Sequence, residues 1–291
     1  MNAGEAVAGG LSENIDRVLG TEPDVRADAF DSVHQMRVAT RRLRSVLRSY
    51  RGLFRGSEAR ALEAELKWLA GLLGVARDAE VRAERFAGLA GDDDDPVRAA
   101  VVDRLVRTQR EIYARAHRDV LDALDSDRLA ALRDTLARWR ADPPVRRRRG
   151  AAPAEEVFGA VLRRDTERLR ARIGRERALA AGEHTADQRI EALHEIRKAA
   201  KRLRYSAEAA IVVLGEDADT LRARAKEVQS VLGDHRDAVE AAQTILATAA
   251  SAEGADSTAG TDLHVRLAAA EEAAAERELA RYPEAARSFA D

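Results

Sequence analysis

Two histidines, His34 and His194, each head nearly the same run of cations, 160 residues apart. The first is followed by Arg37, Arg41, Arg42, Arg44 and Arg48; the second by Arg197, Lys198, Lys201, Arg202 and Arg204. Guanidinium and ammonium groups in such rows do one kind of chemistry. They donate charge-assisted hydrogen bonds to anionic oxygens, arginine through a bidentate fork suited to phosphate. On a helix advancing about 100° per residue, His34, Arg37, Arg41, Arg44 and Arg48 share a wedge of roughly 80° and run for about 21 Å. His194, Arg197, Lys201 and Arg204 take matching angles, and Glu208 stands where a fifth cation would be. Arg42 falls outside the wedge.

The charge is concentrated there. Val33 to Ser57 carries seven arginines and no acid, and Leu193 to Ala207 carries five cations and one glutamate, while the whole chain is −2. A solvated helix face mixes signs at i, i+4 spacing and supports itself. Like-charged neighbours repel unless an anion lies among them, and this chain builds such a row twice.

Other chemistry finds little footing. There is no Gly-rich P-loop, no His-Glu-x-x-His and no Gly-x-Ser-x-Gly. With no cysteine, disulfides and thiolate sites are excluded. One histidine per repeat among arginines is a poor metal site, so neither metal nor cofactor is expected, and no catalytic residue. The enzymatic rival is histidine phosphotransfer through His34 or His194, which lacks a nucleotide-binding half to serve it. His117, His184 and His264 read as surface or packing residues, whereas His235, beside Arg236, has a place in a second repeat.

That second repeat sets Leu73-Gly74-Val75-Ala76-Arg77-Asp78 against Leu232-Gly233-Asp234-His235-Arg236-Asp237. It reads as one helix closing at glycine and another opening at once, with Arg77 and Arg236 as further anion contacts. The composition, rich in Ala, Leu, Arg and Glu, predicts an all-α chain. Helices are expected near 5–19, 26–52, 57–73, 76–89, 96–124 and 126–140, then 154–181, 187–214, 217–232, 235–251 and 261–281. Gly52 and Gly215 are expected to close the two basic helices, and Thr185 with Gln188 to cap the second. Trp68 and Trp139 read as core. Between the halves lies Asp142-Pro143-Pro144-Val145 and then Arg146 to Arg149, either an anion clamp or a solvated linker. Residues 91–95 form an acidic loop and 251–261 a small-residue loop.

Aromatics separate the possible polyanions. Single-strand nucleic-acid sites interleave cations with stacking rings, and duplex binders are basic overall; the basic faces here offer only Tyr205, and nucleic acid is disfavoured. A membrane-surface helix wants exposed apolar bulk beside its cations, and no run approaches the ~18 apolar residues of a span. The first residues have no basic n-region, so a cytoplasmic protein is expected. A phosphate polymer needs only charge and donors.

The paired His-x-x-Arg-x-x-x-(Arg/Lys)-Arg-Leu-Arg segments, each followed by Leu-Gly-x-x-Arg-Asp, resemble the CHAD family, the conserved histidine α-helical domain. The resemblance covers both halves. It implies two antiparallel four-helix bundles, residues 1–145 and 146–291, related by a pseudo-twofold axis around a central basic groove or pore. It also implies binding of inorganic polyphosphate and association with polyphosphate granules, and the triphosphate-processing partner domain often fused to the family has no counterpart in this sequence. Carried onto this chain, the binding positions are His34, Arg37, Arg41, Arg42 and Arg44, then His194, Arg197, Lys201, Arg202 and Arg204, with Arg77 and Arg236. Histidines of reference pKa about 6.5 beside bound phosphate imply tighter binding as pH falls from about 8 to 6.

Overall fold

The computed structural model describes residues 1–91, 95–183, 185–251 and 258–289. The middle of the acidic loop (92–94), His184 and most of the small-residue loop (252–257) lie outside the described residues. The fold is all-α, and among the described residues there is no strand; the isolated bridges Asn2–Pro153 and Phe54–Val145 tie segments together.

The helices are α1 (Ala3–Gly20), α2 (Glu22–Arg26), α3 (Ser32–Ser49), α4 (Gly56–Ala87), α5 (Pro96–Leu124), α6 (Asp127–Ala141), α7 (Arg147–Gly150), α8 (Ala154–Ala180), α9 (Ala186–Ser251) and α10 (Thr258–Ala285). A 3-10 turn, Arg51–Leu53, follows α3, and another, Arg287–Phe289, follows α10.

The first basic helix is shorter than expected. Within the predicted span 26–52 the helix begins only at Ser32, because Asp28 and Asp31 take positive φ, 48° and 59°, which separate α3 from the short α2 ending at Arg26. Gly52 sits inside the 3-10 turn rather than closing α3. The expected breaks at Gly74 and Gly233 are absent: α4 and α9 run straight through them. Neither glycine has the positive φ of a helix-terminating C′ position, and buried Leu73, Ala76 and Ala79, like Val231, Leu232 and Ala238, keep the apolar stripe in register across them. Gly215 does break its helix, at φ 57° and ψ −130°, a backbone conformation that glycine adopts without steric cost. Thr185 and Gln188 form the expected reciprocal cap, at 2.9 and 3.2 Å.

Two compact units result, and each draws on both halves of the chain. The first comprises 1–73, 120–229 and 284–291; the second, 74–119 and 230–283. In the first unit, α1 packs on α3, α6, α7 and α8 around fully buried Leu11, Ile15, Met36, Leu43, Leu47, Tyr50 and Phe158. In the second, Phe86, Val101, Leu105, Ile245, Leu263 and Leu267 form the core. Trp139 is buried, whereas Trp68 is half-buried beneath the Arg128 guanidinium, 4.1 Å from its ring centre.

Candidate anion-binding site

Each basic helix is amphipathic, and its burial fixes where its cations point. On α3, Met36, Ala39, Leu43, Val46, Leu47 and Tyr50 are buried; on α9, Ile196, Ala199 and Leu203 are. With one stripe in the core, the cationic stripe has only the other face.

Cross-links hold the two rows side by side within the first unit. The Tyr50 hydroxyl donates to the Ser206 carbonyl at 2.8 Å, and its ring packs at a tilt against Phe158, centroids 4.4 Å apart. Burial raises the Tyr50 pKa, and the Asp165 charge adds to that, so the hydroxyl remains a donor. Arg42 reaches across to Glu208 at 2.7 Å. The third link is Asp165 of α8, whose side chain is fully buried. Its Oδ1 accepts from Arg202 Nε at 3.0 Å and Arg168 at 3.1 Å, with Arg164 at 3.3 Å. Arg164 in turn donates to the Ser49 carbonyl at the end of α3.

Between α3, α8 and α9 lies a cleft of about 760 Å³. Its walls carry Arg41, Arg44, Arg48, Arg51, Arg168, Arg172, Lys198, Lys201 and Arg202: nine cations against one carboxylate, Glu195. Glu195 accepts from Lys198 at 2.8 Å, with Arg172 at 3.3 Å, and the Lys198 contact holds its pKa below the usual carboxylate range. Arg202 is engaged by Asp165 and Arg44 is 3.9 Å from Glu63. Arg41, Arg48 and Lys201 have no carboxylate within ion-pair distance among the described residues.

Electrostatics set these groups apart from ordinary surface pairs. Arg26, Arg128, Arg140 and Arg222 are each raised in pKa, chiefly by hydrogen bonds to their own carboxylates. Arg41, Arg44 and Arg202 of the site go the other way. Burial lowers the Arg41 pKa; Tyr205 opposes this, while the charges of Arg37, Arg197 and Arg204 push it further down. Burial lowers Arg44 and Arg202 as well, against Glu63 and Asp165 respectively. Arg37 from the first row thus shares one field with Arg197 and Arg204 from the second. The buried Nε–H groups of Arg197 and Arg204 have no protein acceptor.

Of the residues expected from sequence, Arg41, Arg44, Arg48, Lys198, Lys201 and Arg202 meet in the cleft. Arg37, Arg197 and Arg204 do not line the cleft but lie near enough for their charges to act on Arg41, and Arg204 donates to Gln229 at 3.3 Å. His34 and His194 are half-buried at the heads of the rows and do not line the cleft. Arg42, turned away, borders a separate hollow with Glu208 and Tyr205. Arg77 and Arg236 belong to the second unit, where each is joined to a glutamate of its own helix: Glu80 at 2.7 Å and Glu240 at 2.5 Å. Sequence reasoning missed Arg51, Arg168, Arg172 and the Asp165 clamp; the i, i+4, i+8 spacing of Arg164, Arg168 and Arg172 was the available signal.

The CHAD domain family model matches residues 9–246, which takes in the cleft and both basic rows. The chain belongs to the CHAD domain family. Two uncharacterized proteins of Mycobacterium tuberculosis, from strains CDC 1551 and H37Rv, are each 39% identical over 254 residues. The alignments cover 87% of this chain and 46% of theirs, so this chain spans about half the length of those relatives. The fold is similar to that of PptA from Streptomyces chartreusis (TM-score 0.78, 21% identity, 99% of this chain and 100% of that one). It is also similar to the CHAD domain from the plant Ricinus communis (TM-score 0.72, 22% identity, 98% and 91%). Among the described residues of this CHAD chain, no helix is long and apolar enough to cross a membrane.

Proposed function

We propose that this CHAD chain is a non-catalytic binder of inorganic polyphosphate, held in the cleft between α3, α8 and α9 and thereby directed to polyphosphate granules. The observation that carries this reading is the cluster of Arg41, Arg48 and Lys201, cations without carboxylate partners among the described residues, in a wall of nine cations and one acid. A folded chain gains nothing by crowding like charges in a half-buried cleft. It keeps them where an anion completes the site, because hydrogen bonds between guanidinium and phosphate are strong and specific in geometry.

The choice of anion rests on what accompanies the charge. Tyr205 is the one aromatic residue on the cleft wall and is 5% exposed, so it offers no platform on which a base could stack. The cleft walls hold no histidine, serine–histidine pair or paired carboxylates suited to phosphoryl or proton transfer. A repeating phosphate chain uses what is present and requires nothing more.

A competition titration tests the reading. Long-chain polyphosphate should bind and should be displaced poorly by single-stranded RNA or duplex DNA at physiological salt, with no orthophosphate released over time. Arg48→Ala combined with Lys201→Ala should weaken binding by at least tenfold with helicity unchanged. Effective competition by RNA would favour the nucleic-acid reading, and steady phosphate release would make the protein an enzyme. Undiminished affinity in the double variant would remove the cleft from consideration.

A further inference from the structure

The run Arg146 to Arg149 is not a loose connector. The Arg146 amide donates to the Leu53 carbonyl at 2.7 Å, and its Nε donates to the Phe54 carbonyl at 2.8 Å. On the other side, the Ala3 amide donates to Ala152 at 2.9 Å. Gly150 meets Gly4 so closely that a Cβ on Gly4 would lie 3.3 Å from the Gly150 backbone. The short helix α7 is therefore pinned between α1 and the 3-10 turn that follows the first basic helix.

That turn begins with Arg51, a residue of the cleft wall. Arg149 lays its Nη1 over the next residue, 3.4 Å from the Gly52 carbonyl; a Cβ at position 52 would come within 2.7 Å of it. Glycine at 52 is what allows this guanidinium to rest on the backbone. Further along, the Arg146 and Arg60 guanidiniums both approach Gly56. All four arginines of the run are exposed, and neither they nor Arg51 nor Arg60 has a carboxylate within ion-pair distance among the described residues. Cations thus follow Arg51 of the cleft wall onto a fixed piece of backbone, where Arg149 rests on Gly52, the residue next to Arg51.

We infer that the Arg146–Arg149 run, continuous with Arg51, is a second subsite that takes the emerging end of a long polyphosphate chain and lets the protein prefer long polymers over short ones. This rests on the cleft reading above. Short chains fill the cleft and stop at Arg51; longer ones gain the additional cations and release the counter-ions that those cations would otherwise hold.

The test compares Arg147→Gln/Arg148→Gln/Arg149→Gln with the wild type, using tripolyphosphate and long-chain polyphosphate at two salt concentrations. Glutamine keeps helix propensity and removes only charge. Long-chain affinity should fall about tenfold, its log–log salt slope should become shallower by about 2, by analogy with single-stranded nucleic acids, and tripolyphosphate binding should not move. Arg147→Gln/Arg148→Gln alone, which touches no hydrogen bond to Gly52, should show a smaller loss in the same sense. An unchanged long-chain affinity overturns the subsite. Equal losses for both ligands overturn it too, because they would make the run part of the cleft. A wild-type protein that binds neither ligand fails the cleft reading itself, a result distinguishable from either.

Discussion

Arg41 is a cation whose environment disfavours its charge: burial lowers its pKa, and Arg37, Arg197 and Arg204 add to the effect. The sign follows from linkage. A basic group with a folded-state pKa below its unfolded value costs the fold stability wherever it is charged, and arginine is charged throughout the physiological range. Removing that charge should stabilise the empty protein, whereas removing an ordinary paired surface arginine should not. Arg41→Met keeps an unbranched apolar stem and discards the guanidinium. Its Tm without ligand should rise by a few degrees, while polyphosphate affinity drops by about tenfold or more, the trade expected where function is built on strain. A lower Tm with intact affinity would show that Arg41 is structural. This residue and its neighbours were legible in the sequence, because one amphipathic helix suffices to say which cations share a face. Arg42 was partly so: its angle already set it apart from the row, but Glu208 as its partner emerges only when α3 and α9 lie together.

At the level of elements, what the sequence could not disclose is which third helix stands beside the two basic ones. α8 mixes Arg with Glu and Asp along its length, so the i, i+4, i+8 row of Arg164, Arg168 and Arg172, the one signal it carries, does not stand out from a solvated face, and nothing local marks Asp165 as fully buried. Nor does a glycine after leucine say whether a helix ends there; Gly74 and Gly233 remain helical because the stripe continues on both sides, and Gly215 ends its helix through a positive φ. Asp165 is the residue on which the arrangement of α8 and α9 turns. Its carboxylate compensates Arg202, Arg168 and Arg164 at once, and a buried group that loses its partners is expensive. Asp165→Asn should destabilise the free protein by about 2 to 3 kcal/mol, since the arginines keep partial solvent contact and the full cost of a buried pair does not apply. A bound polyanion supplies replacement charge, so the deficit should shrink when polyphosphate is added. Denaturant unfolding with and without ligand measures both quantities, and an unchanged midpoint in the free variant would mean that Asp165 does not clamp these helices.

Over the whole molecule, a net charge of −2 conceals a strongly positive patch on an otherwise acidic chain. Attraction of a polyanion is therefore local, and the ligand should leave its mark locally. Every residue of the cleft wall lies in the unit formed by 1–73, 120–229 and 284–291, while Arg77 and Arg236 lie in the other. A ligand that binds only the folded site slows the openings that destroy that site, by roughly a hundredfold, or about 2.7 kcal/mol, at a concentration of 100 Kd. Amides that exchange through sub-global opening report this segment by segment. Hydrogen exchange with saturating polyphosphate should then show new protection in α3, in the middle of α8 around Arg168 and Arg172 and in α9 before Gly215, with α5 and α10 unaffected. If Arg77 and Arg236 grip the polymer as their place in the repeat suggests, protection will extend to the segments around 74–90 and 230–245. Protection confined to that second unit, with α3 unchanged, would put the ligand elsewhere and leave the paired basic rows without the guest that their charge requires.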